Sequence, residues 1–356
     1  MKQNIYISSD IEGCATVTNW SECNESTLIY GVSRTIMSVE LATLVKSAGK
    51  ESSFLIRDAH GNGRNILKKF FQQNVQLIQG WNKEPTNMMR GIDYKKFDFA
   101  ILHGYHAAAG TKLSPLAHTF SSRKLGKFTL NGKIAGETTF SVYTAAYFGV
   151  PLIYVCGDYG AVTEAQSINP NIVGTITKKF NTPKSFMLSV NDVLENIKTD
   201  FTYARNEFYK NQKKFKITLP KHFTLTLQYK DSEQAQLHVQ KIKGIIQIKP
   251  DTVQYKTDDF FDLLTVMRQM KLLIHTYFPK RANSDERRIT GRPPEYGQER
   301  SFQQDRQEAR RHRLRPARRD PRPRNSRGGC AWPQGDACGY GRNRLRPPCD
   351  ERSPRR

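Results

Sequence analysis

Two carboxylates stand two residues apart in Asp10-Ile11-Glu12-Gly13, directly behind the β-prone run Asn4–Ser9. In extended chain, positions i and i+2 share a face, so both acids are expected to point the same way. Carboxylates that close repel each other unless a cation lies between them. The pairing of a strand end with reactive side chains then recurs. Arg57-Asp58-Ala59-His60-Gly61 follows a second strand-like run, with an Asp placed to orient the His or to join it as a ligand. His103-Gly104-Tyr105-His106 follows a third, and its two imidazoles could both reach one site. His118 stands in Leu116-Ala117-His118-Thr119-Phe120, and Glu137 follows Gly136 at the start of an expected helix. Carboxylates with imidazoles suit zinc, and also manganese or cobalt. A pair of bridged ions would offset three acids, polarise a carbonyl and activate water at neutral pH.

Each segment alone has an ordinary explanation: a charged strand exit, a polar loop, a satisfied core histidine, an acid favoured in a helix's first turn. What points to chemistry is five of them in series, all at or near element ends between Asp10 and Glu137.

The elements that must position them can be read from apolar spacing. Residues 33–48 carry Met37, Leu41, Leu44 and Ala48 at helical intervals, with Gly49 where a C-terminal cap belongs. Residues 53–57, 97–102 and 151–156 read as strands. Residues 128–134 read as a hairpin turning at Asn131-Gly132, and 137–148 as a helix. That is an α/β fold with a mixed, mainly parallel sheet flanked by helices. A catalytic metal-binding domain is expected over 1–182. A smaller α+β portion is expected over 183–280, from a long helix at 183–210, strands at 215–219, 223–229 and 243–249, and a helix at 258–275.

The 356 residues carry a formal charge of +23, unevenly spread. Residues 281–356 hold 21 Arg and no Lys against 10 acidic residues, and are rich in Pro and Gly. Such a segment cannot bury enough apolar surface to offset its ordering entropy, so a disordered tail is expected there. The abrupt change of base usage is what a frameshifted or chimeric reading frame produces. A basic tail could also attract nucleic acid. Its aromatics are only Tyr296, Phe302, Trp332 and Tyr340, so no specific nucleic-acid partner is expected. No apolar run approaches a membrane span, and Met1 to Gly13 has no signal-peptide pattern. Three widely spaced cysteines before residue 280 (Cys14, Cys23, Cys156) read as reduced thiols in the cytoplasm.

In chain order, Asp10-Ile11-Glu12-Gly13, Asp58-Ala59-His60, Gly104-Tyr105-His106, Ala117-His118 and Gly136-Glu137 resemble the D-aminopeptidase family of bacterial metallopeptidases. Val150-Pro151 leading to Gly157-Asp158 adds to the resemblance, which runs through nearly all of the chain before residue 280. It implies that Asp10, Glu12, His60, His106 and Glu137 hold zinc, two ions per chain bridged by Asp10, with His118 as the catalytic residue. Asp58 and His103 would support those ligands from behind. It further implies an aminopeptidase for short peptides with an N-terminal D-residue such as D-Ala, working by metal-activated water and assembled as a homo-oligomer. An L-aminopeptidase or another small-amide hydrolase would use the same fold and metals. Ala117, Ser141 and Tyr159 depart from the family's usual Ser, Asn and Asp, and these departures bear on substrate preference.

Overall fold

Six parallel strands make the central sheet: β1 (Asn4–Ser9), β2 (Ser53–Asp58), β3 (Val75–Ile78), β4 (Phe99–Tyr105), β7 (Leu152–Gly157) and β8 (Val173–Ile176). Their spatial order is β3-β2-β1-β4-β7-β8. The chain winds outward from β1 in one direction and from β4 in the other. Open parallel sheets place ligands at such a reversal, beyond the carboxyl ends of the strands. The computed structural model describes residues 2–71, 74–180 and 184–276. All of them fall within one compact unit. The tail expected at 281–356 lies outside the described residues.

The two central strands are buried nearly throughout, as strands covered on both faces must be. Alternate side chains take opposite faces. Ile5, Ile7, Phe99 and Ile101 pack with α2 (Tyr30–Ala48) and α5 (Val190–Lys210). Tyr6, Ala100 and Leu102 pack on the other side with α3 (Glu137–Tyr147) and α4 (Tyr159–Ile168). Helix α2 stops at Gly49, whose φ of 90° only glycine adopts freely. Asp158 and Ser189 cap α4 and α5 by accepting backbone N–H groups.

A second, antiparallel sheet holds β5 (Leu125–Leu130), β6 (Lys133–Ile134), β11 (Phe223–Tyr229), β12 (Ile246–Lys249) and β13 (Thr252–Thr257), in the order β12-β13-β11-β5-β6. Asn131 (φ 50°) and Gly132 (φ 77°) make the two-residue β5–β6 turn. Helices α6 (Ser232–Lys241) and α7 (Phe260–Thr276) share its core. A four-residue helix, α1 (Trp20–Cys23), and a ribbon of β9 (Lys178–Lys179) with β10 (Phe186–Met187) complete the described α-helices and strands.

The two layers interleave across position 182. The second takes β5 and β6 from the earlier part, and α5 from the later part packs on the first. Helix α5 begins at Val190, after its Ser189 cap, rather than at 183. No strand forms at 215–219. Phe215 is buried in the first core while Leu219 packs on the second, so this segment crosses between layers instead of pairing. The helices α4 and α6 and the strands β3, β8 and β13 were not expected.

Candidate metal centre

β1 ends at Ser9, and Asp10 and Glu12 lie in the turn that follows rather than on a pleated face. The turn is built on β4: Asp10 N–H donates to the His103 carbonyl at 2.8 Å and Gly13 N–H to the Gly104 carbonyl at 2.7 Å. A Cβ on Gly13 would fall 1.9 Å from the Tyr105 carbonyl oxygen, and one on Gly104 2.0 Å from the Asp10 carbonyl oxygen. The glycines of both motifs therefore allow two strand exits to touch. Behind the turn, the buried Lys178 ammonium donates to the carbonyls of Glu12 (2.6 Å) and Cys14 (2.7 Å). Glu40 of α2 accepts the Ala15 N–H at 2.8 Å. The two acids converge by this turn and not by strand alternation.

Three imidazoles meet them, each oriented in the same way. His60 donates Nε2–H to the Cys23 carbonyl at 2.8 Å, which turns Nδ1 to Asp10 Oδ1 and Glu12 Oε2, both at 3.1 Å. His106 donates Nδ1–H to the Ala107 carbonyl at 3.1 Å, which turns Nε2 to Asp10 Oδ2 (3.6 Å) and Glu137 Oε2 (3.5 Å). His118 donates Nδ1–H to the Leu116 carbonyl at 2.9 Å and faces Glu12 Oε1 at 3.9 Å through Nε2. A backbone tether on one ring nitrogen sets the tautomer and leaves the other as a lone pair. Lone pairs aimed at carboxylates are tolerable only with a proton or a metal ion between them. His106 Nε2 shows the need directly: it is buried, with no hydrogen-bond partner among the described residues.

Two groups of potential ligands share Asp10. Asp10, Glu12 and His60 form one; Asp10, His106 and Glu137 form the other; in each, the ligand atoms lie within 4.8 Å of one another. This donor set of oxygen and imidazole nitrogen fits zinc. Glu137, first residue of α3, is aimed by accepting the Phe120 N–H at 2.7 Å. Its helix start is held by Glu164, which accepts the N–H groups of Gly136 and Thr139.

The charges respond to one another. Burial, then the neighbouring Glu12, raises Asp10 to about 7. Burial works upward on Glu12 and Glu137 too, but His60 outweighs it at Glu12, and His106 outweighs it at Glu137, which falls to about 2. His60 and His106 rise well above the ordinary imidazole range, because their carboxylate partners outweigh burial. His118 moves the other way, lowered by burial and then by His106.

The remaining expected residues lie behind the site. Asp58 does not touch the His60 ring. Its carboxylate accepts the N–H groups of Asn65 and Ile66 and the Asn65 side chain, which in turn donates to the His60 carbonyl. His103 points to the α2 face, bonded to Ser9 Oγ (2.9 Å) and Glu40 Oε2 (2.8 Å) and fully buried. It alternates in step with Phe99 and Ile101, a parity already visible in the sequence. Ser141 meets the Tyr105 hydroxyl at 2.9 Å. Asp158 accepts the Ala107 N–H beside His106. Sequence reasoning missed Lys178 and Lys271. Lys271 comes from α7 and lines the same cavity as Asp10, Glu12, His60, His118 and Glu137.

Among the described residues no helix is long and apolar enough to cross a membrane. Residues 1–269 match the family model described as D-aminopeptidase. A D-aminopeptidase of Bacillus subtilis (strain 168) is 28% identical over 179 residues, 49% of this chain. The match spans 63% of that relative, under two thirds of its length. A solved structure described as a Zn-dependent D-aminopeptidase from Bacillus subtilis, a self-compartmentalizing protease, superposes with a TM-score of 0.69 at 24% identity. It covers 77% of this chain and 98% of its own, which establishes a common fold.

Proposed function

Because this chain belongs to the D-aminopeptidase family, we propose that it is a zinc-dependent aminopeptidase cleaving short peptides that begin with a D-residue. One observation carries the reading. His60 and His106 each commit one ring nitrogen to a backbone carbonyl and turn the other toward carboxylate pairs that have Asp10 in common. Asp10, Glu12 and His60 would hold one ion, and Asp10, His106 and Glu137 a second, two per chain. Bound zinc supplies Lewis acidity toward the scissile carbonyl and makes water nucleophilic at neutral pH.

The chain's own groups do the rest. The Leu116 carbonyl holds His118 with Nε2 toward the site, where a neutral imidazole can accept a proton and pass it to the leaving amine. The substrate's free amino terminus would sit beside these ligands, which makes the enzyme an exopeptidase. The self-compartmentalizing assembly described for the solved relative suggests a homo-oligomer here. Cys14, Cys23 and Cys156 are buried free thiols, which suits work in the cytoplasm.

Zinc analysis of the purified protein beside an Asp10→Ala variant tests this reading, together with a panel of D- and L-aminoacyl anilides. The expected result is about two zinc ions per chain, D-selective release of the anilide, and loss of both metal and activity in the variant. Full activity in metal-stripped protein would refute the metal mechanism. Faster turnover of the L-series would transfer the site to L-peptides.

A further inference from the structure

Two cations flank one indole at the wall of the cavity that carries Lys271, and a third shares the helix of Lys271. The cavity encloses about 150 Å³. Lys271 sets its ammonium 4.1 Å from the centre of the Trp81 ring and 5.1 Å from that of Phe120. The Arg57 guanidinium lies 4.2 Å from the Trp81 ring, and Trp81 is pinned by its Nε1–H donating to the Gly61 carbonyl at 2.6 Å. Arg268, one turn before Lys271 on α7, donates to the Asn82 carbonyl. Among the described residues, every hydrogen bond these cations make goes to a neutral oxygen: Gly80 and Ile78 carbonyls for Arg57, the Asn82 carbonyl for Arg268, and Asn87 Oδ1 at 3.5 Å for Lys271.

Among the described residues, none of the three has a carboxylate oxygen within salt-bridge distance. An aromatic platform holds a cation without neutralising it. Glu137 and Asp10 are the acids that act on Lys271, and in the proposed function both are committed to zinc. The wall therefore carries positive charge that an anion would complete. Lys271 is the cation that lines the cavity, and an ammonium with three donors has two left for a ligand after its bond to Asn87.

A short peptide whose amino end lies at the metal ligands offers one anion to this wall, its terminal carboxylate. We propose that Lys271 binds the C-terminal carboxylate of the substrate, with Trp81 and Arg57 as positioning residues, so that the enzyme selects short free-acid peptides. This rests on the aminopeptidase reading and adds a second anchor to it. A charge-assisted hydrogen bond between ammonium and carboxylate is strong where water is scarce, and because Lys271 lines the same cavity as Asp10 and Glu137, the carboxylate it holds lies close to the scissile bond.

The test uses the full-length zinc-loaded protein and one di- or tripeptide sequence made twice, as free acid and as C-terminal amide. Wild-type protein should show a KM for the acid about 10- to 100-fold below that for the amide. Lys271→Met should abolish the difference in KM between acid and amide with the zinc content retained, and Lys271→Arg should recover part of that difference. Equal KM values for acid and amide in wild-type protein would overturn the proposal, whatever the variants do. So would a Lys271→Met variant that loses kcat equally on both. A wild-type protein that cleaves neither peptide would instead reject the aminopeptidase reading itself.

Discussion

His106 and His118 lie face to face, with ring centroids 4.2 Å apart and only 7° between their planes. Two stacked imidazolium rings would repel. His106 has Glu137 and Asp10 to hold positive charge, and among the described residues His118 has one carboxylate within ion-pair distance, Glu12 at 3.9 Å. His118 is therefore the neutral member of the stack, lowered by burial and then by His106. Trp20 meets its ring edge-on at 5.1 Å and fixes its position. A group in that state suits proton transfer better than metal binding. His118→Ala should keep its zinc while kcat falls by about 10²- to 10⁴-fold. If zinc leaves with the imidazole, His118 is a ligand and the assignment is wrong.

The metal-free protein should lose stability as pH rises. Asp10, raised from 3.8 to about 7, keeps in the fold a proton that the unfolded chain has already released. His60 and His106, raised well above 6.5, do the same at higher pH. Protons held in excess by the folded state favour folding at low pH, and that contribution is lost as these groups deprotonate. Glu12 and Glu137, held low, act in the opposite sense only in more acid solution, and the lowered His118 opposes the trend just below pH 6.5 without matching the three raised groups. In chelator, Tm is expected to decline between about pH 5 and pH 8. Zinc replaces the missing protons, so it should raise Tm most at the alkaline end. Thermal melts with and without chelator across this range decide the point, and a Tm in chelator that climbs with pH would contradict it.

Gly13 is required by contact and not by its backbone angle. A methyl group there meets the Tyr105 carbonyl oxygen at 1.9 Å, so Gly13→Ala must push the Asp10–Glu12 turn off β4. The expected cost is on the order of 1–3 kcal/mol, with weakened zinc retention. Gly31→Ala, in helix α2 with nothing within 4 Å of the added Cβ, is the control and should keep zinc retention unchanged and stability unchanged or slightly raised. Urea denaturation with zinc analysis reads both effects, and equal behaviour of the two variants would remove the contact from the account.

Glu40 and His103 hold the turn from the far side of the sheet. Both are fully buried, joined at 2.8 Å, and Glu40 also accepts the Ala15 N–H. His103→Ala strands a Glu40 oxygen in the core and should cost on the order of 1–3 kcal/mol. Zinc stoichiometry at low temperature should stay the same, because neither residue faces the candidate site. A large drop in bound zinc with unaltered stability would place His103 at the metals instead.

The parallel sheet was legible because its strands are short apolar runs with chemistry at their carboxyl ends, and because helices α2 and α3 show their spacing or caps locally. The hairpin at Asn131-Gly132 was legible for the same reason. Elements without such punctuation were lost: β3 is half-buried along its length, and β13 carries Gln254 and Lys256 among its apolar residues. The strand expected at 215–219 failed because Phe215 and Leu219 serve two different cores, which local pattern cannot reveal.

The amino-acid sequence by itself supplied the candidates for the site. Residue type and two- to four-residue spacing are local properties, and they mark Asp10, Glu12, His60, His106, His118 and Glu137 as residues that leave element ends with groups able to bind or transfer charge. The tertiary structure alone decided how these side chains meet. The reversal of winding between β1 and β4 brings the first acids against His106, and the return of α7 carries Lys271 to the same cavity. Backbone carbonyls at Cys23, Ala107 and Leu116 choose which imidazole nitrogen faces inward. Such relations depend on packing between segments up to 260 positions apart, and no short-range pattern of residues encodes them.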